Sequence, residues 1–286
     1  MSNRAIGLHI RYCDSIFEVI EKANRLDVAI LQFFLTRKQD GGTMVSLSDE
    51  QLETFALQCK EKFERVVVHA SYWTDLASGS RYGKKLLFNE LRCASQLGCT
   101  DFVIHCGSAR RFSDKSVGIK NVVKTLKIVA EEELPFKVLL ENTTYENFYI
   151  GSDFEDFALL MDRVGSFEKF GFCLDTAHAH SYGYDISSKN ALSKFLSYLD
   201  STIGLKNIGL IHLNNTHVKK GARHDEHSVL DEGQIQEEIF RGIVCRPEFR
   251  NTPIILELPS IAEEQELIYI EKVKTWSLCN HEEKYD

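Results

Sequence analysis

The 286 residues hold no apolar run near the length needed to cross a bilayer, no CxxC pair among eight cysteines, and no Pro/Gly/Ser-rich linker, composition shift or low-complexity tract. The first absence excludes a helical membrane protein and any membrane partner. The second excludes a zinc ribbon, and the third leaves no mark of a domain boundary. The opening residues, MSNRAIGLHI, lack a charged segment followed by a long apolar one and a small-residue cleavage site, so secretion is not expected. Cys13, Cys59, Cys93, Cys99, Cys106, Cys173, Cys245 and Cys279 are scattered, several of them inside expected strands or helices. They read as reduced thiols of an intracellular, cytoplasmic protein, with the nucleus and a virus particle as alternatives. Basic residues are in deficit, 34 Lys and Arg against 42 Asp and Glu for a net charge of -8, which argues weakly against a nucleic-acid partner.

What is present is a series of short apolar runs that stop at a polar residue. Arg65 to His69 reads RVVVH, Phe102 to His105 FVIH, Val138 to Glu141 VLLE, Phe172 to Asp175 FCLD, Ile208 to His212 IGLIH and Ile254 to Glu257 IILE. Ala5 to His9 and Val28 to Phe34 make eight. Between them lie stretches with helical apolar spacing: Ser15 to Asn24, Ser48 to Phe63, Leu86 to Leu97, Val117 to Ala130, Phe154 to Val164, Leu192 to Leu199, Ile235 to Ile243 and Glu263 to Val273. Near-continuous apolar strands belong to buried parallel sheets, and eight strand–helix repeats in this length fit a single (β/α)8 TIM barrel over residues 1–286. The functional groups of such a barrel lie at the C-terminal rim of its strands.

That rim would collect His69, His105, Glu141, Asp175, His178, His212, Asp225, His227 and Glu257. Imidazole with carboxylate and no thiolate suits zinc, manganese or iron acting as a Lewis acid, and does not suit a closed structural zinc site. Asp175-Thr-Ala-His178 supplies two ligands from one strand end, and Asp225-Glu-His227 two more from the loop after His212. Nine ligands at about four per metal imply two or three ions, with Glu141 able to bridge. Three divalent ions, six positive charges, would bring the net charge of -8 to -2 and make the field at the site positive. Arg37 and Lys38, Arg110 and Arg111, Lys219 and Lys220, and Arg223 cluster beside it. Clustered ions fit phosphodiester hydrolysis, in which one lowers the pKa of a water and others stabilise the phosphorus and the leaving oxygen.

The chain resembles the endonuclease IV family, the zinc-dependent apurinic/apyrimidinic endonucleases of DNA base-excision repair. The resemblance is carried by VHASY from Val68, IHCGS from Ile104, LENT from Leu140, CLDTAHAHSYGYD from Cys173, HLNNT from His212, DEHSVLDEGQI from Asp225 and PIILELP from Pro253. It implies three zinc ions per chain, with manganese an alternative at one position: His69, His105 and Glu141 on one, Glu141, Asp175, His212 and Glu257 on a second, and His178, Asp225 and His227 on a third. It implies incision 5′ to abasic sites in double-stranded DNA by a monomer, with a metal-bound hydroxide held near the catalytic Glu141 and Glu257. Arg37 and Tyr72 stand where the family places its DNA-inserted residues.

The sequence departs from the family pattern at several positions. Glu226 stands in place of an Arg between Asp225 and His227, Asp231 in place of a Gly, Asn215 in place of an Asp, Cys106 in place of a Pro and His180 in place of a Phe. Two other readings compete. A sugar isomerase or epimerase of the same barrel superfamily would use one or two ions and would not need both the DxxH and the DxH pair. An inactive DNA-binding relative should have lost at least one ligand.

Overall fold

A computed structural model describes residues 4–37, 42–146, 148–165 and 167–278; Lys38, Cys279 and His281 lie outside the described residues. Eight parallel strands pair in sequence order and close into a barrel: β1 (Ile6–His9), β2 (Ile30–Phe34), β3 (Arg65–His69), β4 (Asp101–His105), β5 (Lys137–Glu141), β6 (Phe170–Asp175), β7 (Ile208–His212) and β8 (Ile254–Leu256). Closure is made by β1 against β8, with Ile6 opposite Ile254 and Leu8 opposite Leu256. The helices between them are α1 (Phe17–Arg25), α2 (Asp49–Lys62), α3 (Arg81–Gln96), α4 (Lys115–Glu131), α5 (Phe154–Val164), α6 (Thr176–Tyr182), α7 (Lys189–Thr202), α8 (Glu237–Val244) and α9 (Glu263–Ser277). α6 was not expected. It is a short helix entered directly from β6, and all its residues except Tyr182 are buried, so it carries no amphipathic signature.

The two-residue period of a strand sorts the barrel residues into two sets. Outward residues such as Leu31, Phe33, Val68, Phe102, Leu140 and Phe172 join the main core under the helices. Inward residues Ile30, Val67, Val103, Leu139, Cys173, Leu210 and Ile255, one from each of β2 to β8, fill the lumen. On β1 the corresponding residue is Gly7, where a Cβ would lie 2.2 Å from the Ile30 carbonyl oxygen, so that strand can approach β2 only without a side chain. Two residues further along each strand direction the inward position is polar on all eight: His9, Gln32, His69, His105, Glu141, Asp175, His212 and Glu257.

Among the described residues Cys13, Cys59, Cys93, Cys99, Cys106 and Cys173 are free. Among the described residues no helix is long and apolar enough to cross a membrane.

Candidate metal centre

All nine candidate ligands converge at the C-terminal mouth of the barrel. Glu141, fully buried at the end of β5, is the hub: its Oε2 lies 2.9 Å from His69 Nε2 and 2.8 Å from His105 Nε2, and its Oε1 lies 2.8 Å from His212 Nδ1. His69, His105 and Glu141 form one compact donor group, and Glu141, Asp175, His212 and Glu257 a second. Asp175, His178 and His227 form a third. Asp225 faces the third from the long loop after β7, with Oδ1 3.2 Å from His178 Nε2 and 3.6 Å from His227 Nε2. Asp175 therefore stands between the second and third groups.

Local structure explains how the ligands are aimed. Asp175 caps α6 by accepting the His178 backbone N–H at 2.6 Å, so the DTAH spacing turns the second ligand back over the first. His178 Nδ1 is 2.8 Å from the Asn142 carbonyl and His69 Nδ1 2.9 Å from the Ala70 carbonyl, contacts that leave Nε2 of each ring facing the cluster. Asn214 donates from Nδ2 to Asp175 Oδ2 at 2.6 Å and to Glu257 Oε2 at 3.1 Å, while its Oδ1 accepts the Glu257 backbone N–H at 2.8 Å.

Burial alone would raise the Glu141 and Glu257 carboxyls, but the neighbouring imidazoles outweigh it. His212 and His105 hold Glu141 well below the usual carboxylate range, and His212 and His9 do the same for Glu257. Burial would likewise depress His178, yet Asp175 and Asp225 push it well above an ordinary histidine. Among the described residues no lysine or arginine is ion-paired with Glu141, Asp175, Asp225 or Glu257. Four carboxylates gathered out of water without such a partner call for positive charge from elsewhere. The His227 Nε2, buried and without a hydrogen-bond partner among the described residues, points to the same need. Cys173, an inward residue one layer below the ligands, also approaches Glu141 and His212, and burial pushes its thiol up to about 12. The set fits divalent metal, and zinc or manganese within that class.

Around the mouth, Tyr72 is 68% exposed, with its ring 5.4 Å from that of Phe34 and 6.5 Å from that of His105. It lines a cavity of about 210 Å³ with His69, His105, Thr143, Tyr145, Tyr149 and Asp225. The Arg37 guanidinium donates to the Cys13 carbonyl on the loop after β1. His180 is buried on α6 and belongs to none of the three donor groups.

Among the departures, Glu226 sits on the exposed loop with a carboxylate oxygen 3.8 Å from His224 Nε2, and Asp231 is drawn to α9 by the Tyr269 hydroxyl at 2.6 Å. Asn215 donates to the Leu230 and Ile235 carbonyls at 2.7 and 2.9 Å and accepts from the Thr216 and Ile235 backbone N–H groups, so an amide closes this loop where a carboxylate would lack the donors.

Sequence reasoning left His9 without a role and passed over Gln32, Asn142 and Asn214. Gln32 is fully buried beside His9, His212 and Glu257. The signal that could have found the pair is the strand period itself, since His9 and Gln32 each lie two residues beyond an inward lumen position.

The model of the xylose isomerase-like TIM barrel family matches residues 20–277. The protein of Aquifex aeolicus named probable endonuclease 4 is 30% identical over 259 residues, spanning 88% of this chain and 91% of that one. The Nitrosopumilus maritimus protein of the same name is 30% identical over 279 residues, 95% of this chain and 99% of that one. Among solved structures, endonuclease IV from Thermus thermophilus superposes with a TM-score of 0.81 at 26% identity, covering 95% of this chain and 98% of its own. The chain belongs to the endonuclease IV family of xylose isomerase-like TIM barrels.

Proposed function

We propose that this protein is a DNA-repair endonuclease that hydrolyses the phosphodiester 5′ to abasic sites in double-stranded DNA with three zinc ions, one in each donor group, acting as a monomer through one domain spanning residues 1–286. The observation that carries the reading is the third group: His178 and His227, grouped with Asp175 and faced by Asp225, add a set of ligands that one- or two-ion sugar chemistry has no use for. Zinc, when bound, supplies Lewis acidity and lowers the pKa of water toward neutrality.

The chain's own residues then have separable tasks. Glu141 and Glu257, buried and kept ionised by their imidazole neighbours, would hold metal and orient the attacking water. His178, Asp225 and His227 would hold the ion whose positive charge would attract the scissile phosphate. Tyr72, exposed at the mouth, enters the helix stack and fills the gap when the damaged nucleotide is turned out, with Arg37 beside the same edge. Extrusion costs less at a sugar that has no base to unstack.

The test is incubation of zinc-loaded protein with a duplex oligonucleotide carrying one abasic analogue. Incision immediately 5′ of the lesion, leaving a 3′-hydroxyl, is expected. Zinc-loaded protein that leaves the duplex intact and epimerises or isomerises a ketose would replace this reading with the sugar-directed one.

A further inference from the structure

Gln32 holds two candidate ligands with the two ends of one amide. We infer that Gln32 is a positioning residue that dictates which atoms of His212 and Glu257 are offered to a metal ion, an inference that rests on the metal reading above. Its side chain is fully buried, inward on β2, just beyond the lumen residue Ile30. Nε2 donates to Glu257 Oε1 at 2.8 Å, and Oε1 lies 2.9 Å from His212 Nε2.

The polarity of these contacts fixes the orientation of the amide and the proton on the far nitrogen of His212. An ionised carboxylate only accepts, so the amide nitrogen must face Glu257. The amide oxygen then faces His212, and because that oxygen also only accepts, His212 must carry its proton on Nε2. With Nε2 keeping its proton, only Nδ1 can offer a lone pair to a metal ion, which would displace the proton shared there with Glu141. Nδ1 is the atom aimed at the second donor group, 2.8 Å from Glu141 Oε1, 3.5 Å from Glu257 Oε2 and 4.0 Å from Asp175 Oδ2.

The same amide ties up Glu257 Oε1 and leaves Oε2, held at 3.1 Å by Asn214, turned toward His212 and His227. The second hydrogen of Nε2 faces His9 Nδ1 at 2.9 Å, so His9 completes the amide's contacts rather than acting as a ligand. Neither a hydrocarbon nor a carboxylate can replace this residue, since the position needs a donor and an acceptor together.

The experiment pairs a spectrum of the unaltered protein with the zinc content of two variants. In zinc-loaded protein, proton–nitrogen correlation of the histidine rings should place the His212 proton on Nε2, with none on Nδ1. Gln32→Met and Gln32→Glu should retain the wild-type circular dichroism spectrum, hold two zinc ions firmly, and bind the third about 10- to 100-fold more weakly in chelator competition. The inference is overturned if His212 of the zinc-loaded protein carries its proton on Nδ1 instead of Nε2, or if both variants fold and keep every zinc at wild-type affinity. The spectrum decides the matter alone should the variants fail to fold. Wild-type protein that takes up no zinc would instead contradict the metal reading, and the inference with it.

Discussion

Asp175 serves two masters: Oδ1 accepts the backbone N–H of His178 at 2.6 Å and so starts α6, while Oδ2 lies 3.8 Å from His227 Nε2 in the donor cluster. Removing the carboxylate should therefore cost both metal and helix. Asp175→Ala and Asp175→Ser both lose the charged ligand, but only serine keeps a cap acceptor, which is worth about 1 kcal/mol. Denaturant unfolding of the two metal-free variants should show alanine the less stable by that amount. Equal stabilities would mean that α6 does not depend on its cap.

Tyr72 is expected to act on bound DNA rather than on the fold, because its ring is mostly in solvent and only its edge meets Phe34 and His105. Tyr72→Ala should weaken binding of an abasic duplex by about tenfold, the scale of one lost stacking contact. It should change binding of intact duplex much less. Equal losses on the two duplexes would make Tyr72 a packing residue of the mouth.

Glu90, on α3, is buried beneath the loop that carries Tyr72, accepting from the Ser71 backbone N–H at 3.0 Å and the Thr74 hydroxyl at 2.9 Å. Burial raises its carboxyl from the ordinary 4.5 to about 7. The folded protein thus binds a proton that the unfolded chain has released between these values, so stability from this group is complete below about pH 4.5 and is lost as pH rises toward 7. Glu90→Gln should remove that loss, gaining up to about 3 kcal/mol relative to wild type at pH 8 compared with pH 5. Unfolding curves at the two pH values check it, and a pH-independent difference would show Glu90 to be ionised throughout.

Asn215 fixes the long loop that brings Asp225 and His227 to the site, and Gly233 packs against it so closely that a Cβ would lie 2.2 Å from the Asn215 side chain. Asn215→Asp would turn a carboxylate on the Leu230 and Ile235 carbonyls, costing about 1–3 kcal/mol. A lowered melting temperature with weakened retention of one zinc is expected. Unchanged values for both would separate this loop from the metal centre.

The alternation of strands and amphipathic helices was legible because both periods were strong, and Arg65–His69 and Ile208–His212 in the fold coincide with the runs read from sequence. The nine candidate ligands were legible because each ends such a run or lies in a motif beside one. α6 was not, since a helix buried on nearly every side has no apolar stripe and its start is set by Asp175, a residue already claimed for metal. Gln32 was missed for a related reason. An amide within the apolar run VAILQFF carries no metal-ligand signal, and its meaning depends on His212, 180 residues away.

The most direct test of the three-ion centre is anomalous diffraction at the zinc edge from crystals of zinc-loaded protein. Three peaks are predicted: one among His69, His105 and Glu141, one among Glu141, Asp175, His212 and Glu257, and one beside His178, Asp225 and His227. A fully loaded protein with a single peak, or with none beside His178 and His227, would contradict the account and return the barrel to the one- or two-ion chemistry of sugar-directed relatives.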